Sequence, residues 1–345
     1  MSGQADVWSV IAALAVIGIF WIKHQPTPGN YEPLYRTSMR EMVAQIDTDA
    51  STDVVVTKQS DYPQNWWTSN ELLELERRAI FAKMPIALAH ASLFFKPGSY
   101  RVFDHPSGYP IFLVLGKDSV LRGFHNVCRH RAYPVVSMKQ SGCTPVLSCR
   151  YHGWGYDLRG KLVKAPKFDG LDGFDKSEIS LFEISVRVDA NGVVFVNVGA
   201  LPKPPVPTDV SRFSNYRMES WEVEVHFNWK FAEFADAFDL SHIIGKHTPK
   251  TLLGALFDYL NFQRGPDHLK PNVLIDIMHD QELNSLLMIK VRPVAAEKCV
   301  LECAFYSSPA ISDSSSIRSD IEEEIVHCVS SLQTAYAKSK LMNPP

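Results

Sequence analysis

The chain has 345 residues, is 46% hydrophobic and 21% charged, and carries a formal net charge of −3 with a pI near 6.5. This composition argues against a disordered chain and against a basic face for nucleic acid, and it suits one large or two modest domains. Six cysteines (128, 143, 149, 299, 303 and 328) in a chain this long do not form an extracellular disulfide framework. The first predicted element is "VWSVIAALAVIGIFWI", Val7 to Ile22, which is 16 uncharged residues. That is just short of the roughly 20 residues that span a bilayer. Residues 1–24 are therefore expected to be a single transmembrane helix. Lys23 puts the globular part on the cytosolic side by the positive-inside rule.

Residues 25–84 hold a linker, "QPTPGNYEP", and a helix, "SNELLELERRAIFAKM", with Ser69 or Asn70 as its N-cap. From 85 to 200 the apolar period becomes two. "YPIFLVLG", "LRGFHNV", "VLSCRYHGWGYDLRGKLV" and "EISVRVDANGVVFVNV" read as strands, with "DLRG" and "DANG" as turns. "LPKPPVP", 201–207, is a stiff connector. Beyond it, 208–345 predicts strands at "SWEVEVHFN", "VLIDIMHD", "SLLMIKVRP" and "CVLECAFYSS". Helices are expected at "WKFAEFADAFDLSHIIGKH" and "SDIEEEIVHCVSSLQTAYAKSK". The fold class is α+β: a small all-β domain, then an antiparallel sheet flanked by helices.

Two constellations carry chemistry. Cys128, His130, Cys149 and His152 form two mixed Cys/His pairs, each on its own β-loop. They could hold structural zinc, but zinc spacing usually pairs like with like. Mixed pairs suit a two-iron cluster, in which each loop gives its thiolate to one iron and its imidazole to the other. The second constellation is "DLSHIIGKH", with Asp239, His242 and His247. His at i and i+5 do not share a face of a regular helix, and Gly245 between them allows a distortion that lets both converge. Two His plus a carboxylate make the facial triad of non-haem Fe(II) oxygenases. His105 and His125 read as structural or surface residues. Trp154 and Tyr156 read as packing under the loops, and Cys143 as an isolated thiol. Arg129 and Arg131 are either solvated charges or groups that shield a cluster or dock a partner.

"FHNVCRHRAYPVV…CRYHGWGYDLRGKLVKAP" resembles the Rieske domain of the non-haem iron aromatic-ring-hydroxylating oxygenases, in their choline-monooxygenase-like and eukaryotic branch. Respiratory Rieske proteins are a poorer match, since their extra loop cysteines are replaced here by ordinary residues. The resemblance implies a [2Fe–2S] cluster on Cys128, His130, Cys149 and His152, and a mononuclear Fe(II) on His242, His247 and an acid of the C-terminal helix. That acid is expected to be Asp320, at the helix start, with Glu322, Glu323 and Glu324 as alternatives. "NWK" at 228–230 matches the start of the iron segment. Asp239 then has the family role of bridging a cluster His of one subunit to an iron His of its neighbour. The run from Asn228 to His242 is one residue longer than the family pattern, and the segment after His247 is short. A flavin or nicotinamide fingerprint is lacking, so a separate NAD(P)H-dependent reductase is expected. The resemblance also implies O2 as co-substrate and a homo-oligomer, a trimer, with no nucleic-acid partner. The anchor points to a lipophilic substrate such as a sterol, terpenoid or polyketide, oxidised by a monooxygenase. The alternative is a membrane-tethered Rieske electron carrier with a degenerate second half.

Overall fold

The computed structural model describes residues 65–137, 141–168, 170–200, 207–213, 215–234, 240, 267–272, 275–280, 285–309 and 314–342. The chain divides into Met1–Val56 and Thr57–Pro345, and every described residue lies in the second unit. The expected anchor at Val7–Ile22 and the site residues Asp239, His242 and His247 lie outside the described residues. Among the described residues no helix is long and apolar enough to cross a membrane.

Helix α1 (Asn70–Glu76) starts where its cap predicts: the Ser69 hydroxyl accepts a bond from Leu72 N–H at 3.1 Å. It passes into one π-helical turn, Arg77–Phe81, which delivers Phe81 to the core. Ten strands follow: β1 (Ile86–His90), β2 (Ser99–Asp104), β3 (Pro110–Leu115), β4 (Leu121–His125), β5 (Ser141–Cys143), β6 (Leu147–Ser148), β7 (Gly155–Tyr156), β8 (Leu162–Lys164), β9 (Glu183–Val188) and β10 (Val193–Asn197). Seven of them form one antiparallel sheet in the order β1-β10-β9-β4-β3-β2-β5, and β6-β7-β8 form a small second one. Both predicted turns are built alike. Asp157 Oδ1 accepts from Arg159 and Lys161 N–H, and Asp189 Oδ1 from Asn191 and Val193 N–H, all at 2.9 Å. The sequence period does not mark β1, β2 and β5. β1 is buried along its whole length, so it shows no alternation, while β5 is three exposed residues held only by pairing with β2.

The second sheet has the order β11-β15-β14-β13-β12, from β11 (Arg217–Val225), β12 (Asp267–Asn272), β13 (Ile275–Asp280), β14 (Ser285–Ala295) and β15 (Lys298–Ser307). Helix α2 (Trp229–Phe234) follows β11, and helix α3 (Ser314–Met342) ends the described chain. Trp221, Cys303 and Ile289 stand side by side in register, and the Arg318 guanidinium of α3 lies 5.3 Å over the Trp221 ring. The opposite face meets β1: Lys290 Nζ donates to Leu88 O at 3.1 Å, and the His90 and Tyr306 rings are 4.8 Å apart.

Alternation along β3 shows how the cores divide. Ile111, Leu113 and Leu115 face a large core that also holds Phe81, Val194, Leu287 and Ile321. Phe112 and Val114 face a smaller one with Cys128, Cys149, Trp154 and Tyr156. The large core runs across residues on both sides of the 201–207 connector. The connector therefore joins parts of one compact body, because β1 and β10 need the second sheet to cover their apolar face.

Candidate metal centre

The four predicted donors sit on two loops, one between β4 and β5, the other between β6 and β7. The loops have the same backbone. Cys128 N–H donates to Tyr133 O at 2.8 Å and Cys149 N–H to Trp154 O at 2.9 Å, each five residues on. Ala132 N–H returns to Cys128 O at 2.9 Å and Gly153 N–H to Cys149 O at 3.0 Å. Both closing residues are left-handed, Ala132 at φ 56° and Gly153 at φ 73°. Such a φ costs an L-residue about 1–2 kcal/mol, and Gly153 avoids that cost while Ala132 bears it. Buried Asn126 braces the first loop, its Oδ1 accepting from Val135 at 2.9 Å and Val136 at 3.0 Å.

This shared geometry sorts the donors into like pairs. The thiols of Cys128 and Cys149 are both buried at the base, 3% and 2% exposed, and close enough to perturb one another. Burial pushes the Cys149 thiol up, and the Cys128 charge adds to it; the backbone N–H groups of Tyr151 and His152 oppose both by donating to the sulfur. The imidazoles of His130 and His152 meet above, with ring centroids 4.5 Å apart. Among the described residues no three His, Cys, Asp or Glu side chains gather as a single-ion site requires.

The two rings differ in setting. His152 is exposed at the tip, packed at 3.9 Å on half-exposed Tyr151, which in turn meets Tyr133. His130 is half-buried and stacks on Trp154 at 4.9 Å and 8°, with Phe168 against its edge. Its Nδ1 is buried without a hydrogen-bond partner. A buried ring nitrogen left unpaired is costly unless a metal takes its lone pair. Burial, then His152 and Arg131, hold the His130 ring below its ordinary range, so the neutral, ligating form is the resident one. His105 also has an unpaired Nε2, but its Nδ1 is engaged by Ser107 at 2.7 Å, as a structural His would be.

Tyr156, expected only to pack, does more. Its ring is fully buried, its oxygen accepts from Arg129 N–H at 3.0 Å, and it lies 3.2 Å from Cys128 Sγ. Burial and the Cys128 contact both raise its pKa, so the hydroxyl keeps its proton. Arg129 is tied back, donating to Ser180 O at 3.0 Å and lying 4.2 Å over Phe182, whereas Arg131 is exposed. Nothing in the sequence marks the Tyr156 contact, because it joins positions 28 residues apart across two loops.

The acids expected as third iron ligand lie along α3. α3 starts at Ser314, so Asp320 lies in its second turn, not at its beginning, and is exposed. Glu323 is exposed, Glu322 is 3.4 Å from Arg318, and Glu324 is half-buried beside Cys328.

Comparison with known proteins agrees with this geometry. Residues 89–175 match the family described as the Rieske [2Fe-2S] domain. The carnitine monooxygenase oxygenase subunit of Acinetobacter pittii is 38% identical over 152 residues, 44% of this chain and 39% of that protein. The biphenyl dioxygenase subunit alpha of Metapseudomonas furukawaii is 28% identical over 200 residues, 51% of this chain and 42% of that protein. The chain thus spans about two fifths of the length of these curated relatives. Among solved structures, a quaternary ammonium Rieske monooxygenase superposes with a TM-score of 0.57 at 23% identity, covering 81% of this chain and 84% of that one. Naphthalene 1,2-dioxygenase from Rhodococcus sp. superposes with a TM-score of 0.58 at 16% identity, covering 89% and 86%.

Proposed function

With residues 89–175 a Rieske [2Fe–2S] domain and the described core folded as in the Rieske non-haem iron oxygenases, we propose that this chain is the oxygenase component of an electron-transfer pair and acts as a monooxygenase. The observation that carries the reading is the paired geometry at the loops: two buried thiols beneath two imidazoles, with His130 Nδ1 buried and unpartnered. Cys128, Cys149, His130 and His152 would hold the cluster, which when bound supplies one-electron transfer at a potential above that of four-thiolate clusters. Tyr156 donates to the Cys128 sulfur, and Trp154 fixes the plane of the His130 ring. His152 offers the exposed edge through which a partner is reached.

In the second half, His242, His247 and a C-terminal acid would hold the mononuclear iron that activates O2. The half-buried Glu324 is a better third ligand than the exposed Asp320, since a ligand must be shielded from bulk water. Asp239 would accept imidazole N–H groups from two subunits of a ring, orienting both. Electrons would come from a separate NAD(P)H-dependent reductase. For the substrate, the names of the carnitine monooxygenase subunits favour a quaternary ammonium compound. The lipophilic alternative rests on the Val7–Ile22 run alone, and the relatives do not support it. A membrane-tethered electron carrier remains a second reading, favoured by the exposure of Asp320 and Glu323.

Metal analysis with EPR tests the proposal. The oxygenase should hold about three irons per chain and show a Rieske signal, the carrier about two, and a zinc module neither. Turnover with a surrogate reductase on carnitine, choline and a sterol panel then separates the substrate classes. Oxidation of the sterols alone would reverse the quaternary-ammonium choice.

A further inference from the structure

A groove of about 340 Å³ lies between β2 and one face of the five-stranded sheet. Its floor is three successive rungs of that sheet: Met218 beside Tyr306, Ser220 beside Ala304, and Glu222 beside Glu302. Its wall is Arg101 to Asp104 of β2. Helix α3, with its candidate acids, packs on the other face of the sheet, where Arg318 meets Trp221. The volume is at the lower end for small-molecule sites, which run from about 300 to 1,000 Å³.

Charge is separated along the groove. At the Asp104 end, Glu302 accepts from Lys290 Nζ at 2.6 Å and from Arg292 Nε, so both its oxygens are taken. Arg292 also feels the charges of Asp104 and Glu222, both exposed, so three carboxylates face two cations there. At the other end stands Arg101, half-buried, close enough to the Tyr306 phenol to oppose the rise in pKa that burial causes. Among the described residues the side chains of Arg101, Asp104 and Glu222 make no hydrogen bond or ion pair. A guanidinium has five donors and no acceptor, and its partial burial without a partner costs solvation. A carboxylate returns that cost through paired, charge-assisted bonds. Three steps of strand put the two ends about 10 Å apart. One spare positive and one spare negative charge at that separation match a ligand that carries both. We propose that this groove binds a small zwitterion, with its carboxylate on Arg101 and its ammonium beside Asp104 and Glu222. The proposal does not depend on the oxygenase reading.

The test uses the full chain with its cluster, and 6-aminohexanoate as the probe, titrated by ligand-observed NMR. Binding should be saturable. Hexanoate and hexylamine, which carry one charge each, should bind about tenfold or more weakly. Arg101→Gln should weaken 6-aminohexanoate to the level of hexylamine and leave hexylamine unchanged. Glu222→Gln should weaken it and leave hexanoate unchanged. Ser220→Trp, an exposed position on the groove floor, should block all three probes. Each variant is expected to keep the EPR signal of the cluster and the unfolding temperature, since none of these side chains has a partner to lose. If Arg101→Gln fails to fold, Arg101→Lys keeps the charge and should bind the probe with at most a modest loss. Absence of saturable binding in the unaltered chain would overturn the proposal. So would equal binding of a singly charged probe, or binding that survives Arg101→Gln or Ser220→Trp. Iron content has no bearing on these outcomes, so they are separable from failure of the oxygenase reading.

Discussion

At the scale of single residues, Tyr156 has the clearest consequence. A thiolate bound to metal cannot donate, so the proton between Tyr156 and Cys128 belongs to the phenol. A donor to sulfur favours the more negative, reduced state. Removing a bond worth about 1 kcal/mol corresponds to about 40 mV for one electron. Tyr156→Phe should therefore keep the cluster and lower its potential by tens of millivolts in a redox titration followed by EPR; an unchanged potential would leave Tyr156 as packing only. His105 makes a second prediction. Burial, then the charges of His125 and Lys290, lower its pKa from 6.5 to about 4. The unfolded chain thus binds the extra proton first. The His105 contribution is complete above pH 6.5 and is lost as pH falls towards 4, amounting to about 3 kcal/mol. Urea midpoints between pH 7.5 and 4.5 should fall less in His105→Asn, whose Oδ1 can still accept from Ser107. A parallel fall would assign the acid sensitivity to other groups.

At the scale of elements, α3 buries its candidate acids to different degrees. Ile317, Ile321, Ile325, Val329, Leu332 and Tyr336 form its buried stripe. Asp320 and Glu324 share one side of α3 at i and i+4, but Asp320 is exposed while Glu324, one turn on, is half-buried. Glu324→Ala is expected to reduce iron from about three to about two per chain with the cluster signal intact. Asp320→Ala should leave iron unchanged and stability within about 0.5 kcal/mol. The opposite pattern would return the ligand to Asp320. The two cluster loops are an element of another kind. They are closed by the same pair of backbone hydrogen bonds, yet one carries His at the second position after Cys and the other at the third. That offset lets one imidazole stack inward on Trp154 while the other stands at the surface.

At the scale of the whole molecule, α1, the seven-stranded sheet and the five-stranded sheet share one core. The segment before the cluster domain is thus packed against the half that follows it, with Asn228, Trp229, Lys230 and Ala296 among the contacts. The apolar run Val7–Ile22 makes a separate proposal about location. The full chain should sediment with membranes and its globular part should be open to added protease. Deleting residues 1–24 should release it with the cluster signal retained. Full-length protein in the soluble fraction would remove the anchor.

The sequence by itself determined what depends on short range: the two Cys/His loop pairs, the Asp-closed turns at 157 and 189, a helix start at Ser69 or Asn70, and the α+β order of elements. Each is written within a few residues, where spacing dictates geometry. It also carried the Rieske assignment, through the resemblance of residues 124–166 to that family. Only the tertiary structure decided the rest. The like pairing of thiols and imidazoles, the Tyr156 bond to Cys128 and the grip of Glu76 on Trp229 and Lys230 join residues distant in the chain. The exposure of Asp320 depends on which face of α3 the sheet covers. No local pattern encodes these, because burial and partner choice are settled only when separate elements compete for the same apolar surface.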